Sequence, residues 1–254
     1  MGRLVVLGLI QGLAEFLPVS SSGHLLLVRQ LWHWGPEGPS LEVLLHGATL
    51  ISVLVAMRRR VMSLGRRWWA GEPLARRLVW AVVVATAPAA VVGAAGGHAL
   101  AAWLFRPPVA AAGFLGTTAL LATAPAPKRG RRALDDVRLA DALLVGLAQA
   151  AALCPGLSRS GATMAAARWC GLLPEAAAEL SFLMAIPITA GVVAVSLPAV
   201  TAFGPGLALA AIAASTAGVM AVQWALRGIR TQRWWRGFAG YTLLMAVLAA
   251  SVGR

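Results

Sequence analysis

The chain has few charged residues and very few cysteines. Only 12% of its 254 residues are charged, 59% are hydrophobic, and the mean hydropathy is +0.76. That balance excludes a soluble globular domain and indicates an integral membrane protein. Two cysteines, Cys154 and Cys170, make neither a disulfide framework nor a metal knot and are read as packing residues. Asparagine is absent, and Lys128 stands alone against twenty-one arginines, which is read as genomic bias rather than function. Acids are scarce too, nine against twenty-two cations. The net charge of +13 does not point to nucleic acid, because the cations cluster between apolar runs, the pattern that sets membrane topology.

Six apolar runs approach the roughly 30 Å of a hydrocarbon core: residues 41–57, 77–95, 108–124, 176–197, 206–226 and 237–252. Two further stretches, 3–33 and 139–171, are apolar but broken near their middles by Pro, Gly and Ser. Neither half of either is long enough to span. Irregular backbone at membrane depth survives only where protein or a watery cavity satisfies it, so both are expected to be re-entrant helix-loop-helix hairpins. A signal peptide at the start is rejected, because Gln11 and Glu15 lie where its apolar or cleavage region would be and the pattern recurs mid-chain.

Shifting the sequence by 138 residues superposes Gly8, Gln11, Ala14, Ser20, Ser22 and Gly23 on Gly146, Gln149, Ala152, Ser158, Ser160 and Gly161. A shared Gln and a shared Ser-x-Ser-Gly at one offset indicate a duplication. The expected fold is therefore all-α, an inverted-topology repeat in which each half is one hairpin plus three transmembrane helices. The first repeat covers 1–124, a basic cytoplasmic loop 125–138, and the second repeat 139–254. Arg58, Arg59, Arg60, Arg66, Arg67, Arg76 and Arg77 follow the first span. Lys128, Arg129, Arg131, Arg132 and Arg138 follow the third, and Arg227, Arg230, Arg233 and Arg236 the fifth. Six spans and two hairpins place all three basic loops on the cytoplasmic side.

Polar groups at membrane depth mark working sites by default. Gln11 and Glu15, four apart, share a helix face. The break "PVSSSGH" ends one half-helix at Pro18 and begins the next at the serines, whose cap and free N–H groups make an anion receptor. The second hairpin carries "PGLSRSGAT", residues 155–163, with Arg159 where the first has Ser21. An arginine beside a helix N-terminus suits bidentate phosphate recognition. Hairpins entering from opposite sides are expected to bring Glu15, the serines and His24 against Arg159. A phosphate or diphosphate fits that inventory, with Glu15 available for a divalent metal. His46 is read as a packing residue. Glu42 and Glu179 are expected to pair with hairpin backbone or with Arg168.

"GLIQGLAEFLPVSSSGHL" (8–25) with "PGLSRSGAT" resembles the two signature motifs of the undecaprenyl-pyrophosphate phosphatase (bacitracin-resistance) family, and "LEVLLHGATLISVLV", "LDD" at 134–136 and "AAELSFLMAIP" extend the resemblance along the chain. The resemblance implies removal of a phosphate from C55 polyprenyl diphosphate at the outer face of the bacterial cytoplasmic membrane, dependence on Mg²⁺ or Ca²⁺, and a homodimer; the clustering of the cations already argues against a nucleic-acid partner. By motif position it assigns the acidic pair to Gln11 and Glu15, the serine pair to Ser20 and Ser21, the histidine to His24 and the arginine to Arg159. The first acidic position is often Glu in the family; Gln11 carries no charge, so Glu15 must supply it. The expected mechanism has Glu15, assisted by Gln11, holding the metal, Ser21 attacking, and His24 acting as base and then acid. Ser20, Ser22, Gly23, Ser158, Ser160, Gly161 and Thr163 would bind the phosphates. A histidine nucleophile and direct attack by water stay open at this stage. The rival from another class is a polyprenyl-phosphate flippase, which would share the inverted-repeat plan.

Overall fold

A computed structural model describes residues 1–35, 38–126, 130–201 and 203–252, and leaves the side chains of 97–102 undescribed. Residues 127–129 of the basic loop, Lys128 and Arg129 among them, lie outside the described residues, as does the side chain of His98. Among the described residues the chain is helical, with no named strand: α1 (Gly2–Phe16), α2 (Ser21–Leu31), α3 (Pro39–Ala56), α4 (Arg58–Trp69), α5 (Pro73–Leu104), α6 (Pro107–Thr123), α7 (Leu139–Ala151), α8 (Arg159–Trp169), α9 (Pro174–Ser196), α10 (Pro205–Gly228) and α11 (Gln232–Val252).

Five of the six expected spans lie in helices long and apolar enough to cross a membrane: α3, the Pro73–Gly96 part of α5, α9, α10 and α11. This is a multi-pass membrane protein. The sixth, α6, has 17 residues, about 26 Å at 1.5 Å per residue and just short of the hydrocarbon thickness. Both interrupted stretches break where Pro and Ser place them. α1 ends before Leu17 and α2 starts after Ser20, while α7 ends before Ala152 and α8 starts after Ser158.

Small residues decide how the segments pack. The main face of α1 lies on α10, and that of α7 lies on α5. A Cβ added to Gly8 or Gly12 would overlap the carbonyl oxygens of Ala210 and Ala214, and one at Gly146 would overlap that of Ala85. Close backbone approach through small residues is how apolar helices associate where water supplies no driving force. α6 packs on α11 and α3 on α10 and α9. The result is an interleaved bundle in which each broken segment rests on a helix from the other half of the chain.

Candidate active site

The two breaks meet. Ser20 is the N-cap of α2, and its Oγ accepts the Gly23 N–H at 3.4 Å. Ser158, at the matching position, is the N-cap of α8 and accepts the Gly161 N–H at 3.1 Å. Each cap has one more serine hydroxyl beside it, Ser22 at 3.4 Å and Ser160 at 3.2 Å. The caps also bind each other's segments. The Gly156 N–H donates to Ser20 Oγ at 3.0 Å, and Ser160 Oγ donates to the Leu17 carbonyl at 2.9 Å. Thr117 on α6 completes the accounting, donating to the Gly156 carbonyl and accepting the Ser158 N–H, both at 2.8 Å. Buried backbone polar groups must find partners, and here each break supplies partners for the other.

This crossing carries Glu15, the last turn of α1, to Arg159, the first residue of α8. Arg159 Nη2 lies 2.7 Å from Glu15 Oε1, with only 15% and 10% of the two side chains exposed. The other carboxylate oxygen, Oε2, accepts Ser21 Oγ–H at 2.7 Å and Gln11 Nε2–H at 3.0 Å. One carboxylate thus joins a guanidinium, a hydroxyl and an amide. The carboxylate, guanidinium and hydroxyl open on a cavity of about 190 Å³ lined by Glu15, Ser20, Ser21, Ser22, Ser158 and Arg159, with His46, Thr189 and apolar side chains completing the wall. An anion would meet a guanidinium, several hydroxyls and two helix N-termini there.

The remaining expected residues are placed differently. His24 is not among the cavity-lining residues. Its Nδ1 lies 2.8 Å from the Ser20 carbonyl and its Nε2 2.6 Å from the Tyr241 hydroxyl, and its ring stacks on Tyr241 and meets Phe114 edge-on. The hydroxyl expected to face His24, that of Ser21, faces Glu15. The reason is tertiary: the imidazole is held between the Ser20 carbonyl and Tyr241 of α11, which turns it away from Ser21. Gly23 and Gly161 serve packing, since a Cβ on Gly23 would meet Gly156 and Phe114, and one on Gly161 would meet Ser158 and Pro18. Thr163 bonds the Arg159 carbonyl at 2.8 Å and Ser181 Oγ at 2.7 Å. Ser160 and Thr163 line no part of the cavity. Gln11 is buried and touches the site only through Glu15.

The family profile described as "Bacitracin resistance protein BacA" matches residues 4–248. The chain belongs to this family. Among curated relatives, a protein named undecaprenyl-diphosphatase from Moorella thermoacetica is 38% identical over 98% of this chain and 97% of its own length. One of the same name from Pelotomaculum thermopropionicum is 35% identical over 99% and 98%. A third, from Hahella chejuensis, is 42% identical over 74% of this chain and 72% of its own.

Within this BacA-family chain the sequence reading missed His46. Its Nδ1 lies 2.8 Å from the Glu42 carbonyl, so in the neutral ring Nδ1 carries the proton and Nε2 is an open acceptor. The only linear signal was an imidazole in the middle of an apolar run. Tyr241 and Thr117 were missed because each is single and lies far along the chain from its partner. Glu42 pairs with Arg29 at 3.4 Å and Glu179 with Arg60 at 3.2 Å. Arg168, buried, instead donates to the carbonyls of Leu172, just beyond α8, and of Pro125 and Ala126, just beyond α6, as a basic side chain does for carbonyls left open at helix C-termini.

Proposed function

We propose that this chain removes the terminal phosphate from a polyprenyl diphosphate, the C55 undecaprenyl carrier lipid, and so returns the monophosphate for cell-wall synthesis and confers bacitracin resistance. The observation that carries the reading is the Ser21–Glu15–Arg159 chain of hydrogen bonds facing one cavity. The names of the full-length relatives describe the same activity.

Ser21 Oγ–H already donates to Glu15, so the carboxylate is in reach to take the proton as Oγ attacks the terminal phosphorus. The new O–P bond forms as the bond to the bridging oxygen breaks, and the prenyl monophosphate leaves with the electron pair. Arg159 and the first-turn N–H groups of α2 and α8 balance the charge that spreads over the phosphoryl oxygens. Glu15 then returns that proton to the departing Ser21 Oγ as water attacks the phosphoserine, takes one proton from the water and later loses it to solvent, and inorganic phosphate leaves. Ser20, Ser22 and Ser158 orient the phosphates. His24, held by Ser20 and Tyr241, fixes the α2 cap, and His46 lines the cavity.

A divalent cation, Mg²⁺ or Ca²⁺, belongs to the proposal, held by Glu15 with Gln11 beside it. Among the described residues no group of three or more His, Cys, Asp or Glu could cage an ion. That donor set fits an ion which keeps most of its waters and is shared with substrate phosphates, the habit of Mg²⁺ more than of Ca²⁺. When bound it would neutralise diphosphate charge.

The packing supports an inverted repeat of residues 1–124 and 139–254 around the loop 125–138. α1 on α10 corresponds to α7 on α5, and the reciprocal Ser20 and Ser160 bonds link the breaks. We read 3–33 and 139–171 as re-entrant hairpins in the cytoplasmic membrane, the cavity opening to the outer face, with a homodimer as the assembly. The test is phosphate release by purified protein in detergent, given polyprenyl diphosphate with Mg²⁺, Ca²⁺ or EDTA. Wild type should release phosphate, and Ser21→Ala, Glu15→Ala and Arg159→Ala should not. His46→Ala and His24→Ala separate the two imidazoles. Wild-type protein that binds the lipid and releases nothing would refute the reading in favour of transport.

A further inference from the structure

The strongest unexplained feature is α4, which joins the end of α3 to the start of α5. It carries five arginines and no acid. Two of them face inward. Arg60 pairs with Glu179 at 3.2 Å and Asp135 at 3.7 Å, and Arg67 pairs with Glu72 at 2.5 Å and Asp135 at 3.7 Å. Leu64, between them on the same face, is buried. These contacts fix how the helix is rolled.

The opposite face is unpartnered. Arg59, Met62, Arg66 and Trp69, spaced three, four and three residues apart, form one stripe, with Met62 61% and Trp69 86% exposed. Among the described residues neither Arg59 nor Arg66 has a hydrogen-bond or ion-pair partner, and Arg58 reaches only the Val55 carbonyl. Arg58, Arg59 and Arg60 also line a cavity of about 310 Å³ whose apolar wall includes Met57 and Leu226. Because α3 and the apolar part of α5 both cross the membrane, the helix between them sits at a bilayer surface. Ala56, where α3 ends, is about 15 Å further along that helix than His46, so this surface is separate from the candidate active site.

We propose that α4 is a binding site for anionic glycerophospholipid headgroups, with Arg58, Arg59 and Arg66 on the phosphates and Met62 and Trp69 among the acyl chains. Charge complementarity selects this occupant. Three unneutralised guanidiniums beside exposed apolar side chains match a surface that is anionic outside and apolar beneath. A zwitterionic lipid offers a phosphate too, but its quaternary ammonium cancels that charge and is repelled by the same guanidiniums.

The test is native mass spectrometry of the full chain in detergent, with phosphatidylglycerol and phosphatidylcholine of identical acyl chains. Wild type should retain phosphatidylglycerol in preference, by at least about fivefold for one engaged cation and up to roughly a hundredfold for all three, since each cation near the surface contributes on the order of a fivefold gain. Raising the ammonium acetate concentration should shrink that preference. Arg58→Gln/Arg59→Gln/Arg66→Gln should bring the ratio near parity while the protein stays monodisperse and its phosphate release is unchanged. Trp69→Ser should weaken both adducts and leave their ratio. Wild type without a preference, a salt-insensitive preference, or a triple variant that keeps it would overturn the proposal.

Discussion

Arg159→Gln removes the one cation hydrogen-bonded to Glu15 among the described residues and leaves a carboxylate with 10% of its side chain exposed beside two neutral donors. At an effective dielectric constant near 20, a pair of charges about 4 Å apart is worth about 4 kcal/mol. Breaking one side of a buried pair costs about 3–5 kcal/mol, because the survivor stays charged and unpaired. The Ser21 and Gln11 bonds to Oε2 recover part of this, so the expected loss is about 3 kcal/mol. Glu15→Gln should cost a similar amount by stranding Arg159. The double variant Glu15→Gln/Arg159→Gln strands neither, and should be no less stable than either single one. The assay is SDS unfolding in mixed micelles followed by far-UV circular dichroism, which reads stability where all three variants are inactive. Arg159→Lys keeps the charge but not the planar fork, and should retain most of the stability while losing turnover. Additivity of the two single losses to within about 0.5 kcal/mol would show that the groups do not interact, and the site would then have to be rebuilt without the pair.

Two further outcomes follow from the crossing of the breaks. Ser20 has φ 67 and accepts two buried N–H groups; Ser20→Ala should cost about 2 kcal/mol or more for the lost cap and the stranded Gly156 donor, and Ser20→Gly less, because glycine relieves about 1 kcal/mol of left-handed strain. Thermal unfolding in detergent should rank them in that order. Gly8→Leu drives a side chain into the Ala210 backbone, which cannot rotate away, so a loss of more than about 3 kcal/mol or failure to fold is expected. Gly2→Ala, with open space around it, should be neutral by the same measurement.

Much of this architecture could be read from the linear chain. The breaks at Pro18 and Pro155 and the capping serines lie within short windows, and the other spans begin and end within about five residues of the expected runs, whereas α5 continues to Leu104 against an expected end at 95 and α4 was not expected. The meeting of Glu15 with Arg159 was also legible, because charges cannot stay isolated at membrane depth. His24 was not. Three residues from Ser21 on one helix, it looked like that hydroxyl's base, yet Tyr241, 217 residues away, holds its ring outside the cavity. His46 looked like filler in an apolar run and lines the wall.

Hydropathy, the polar interruptions and cap chemistry are properties of a residue and its near neighbours, so sequence alone determined a helical membrane protein with two broken segments and the groups a phosphate would need. Which nitrogen, hydroxyl or amide faces which partner depends on how segments more than a hundred residues apart cross. That was decided only when Gly8, Gly12 and Gly146 let α1 and α7 press against α10 and α5, because close backbone contact between distant helices sets the angle and depth at which each side chain enters the shared cavity.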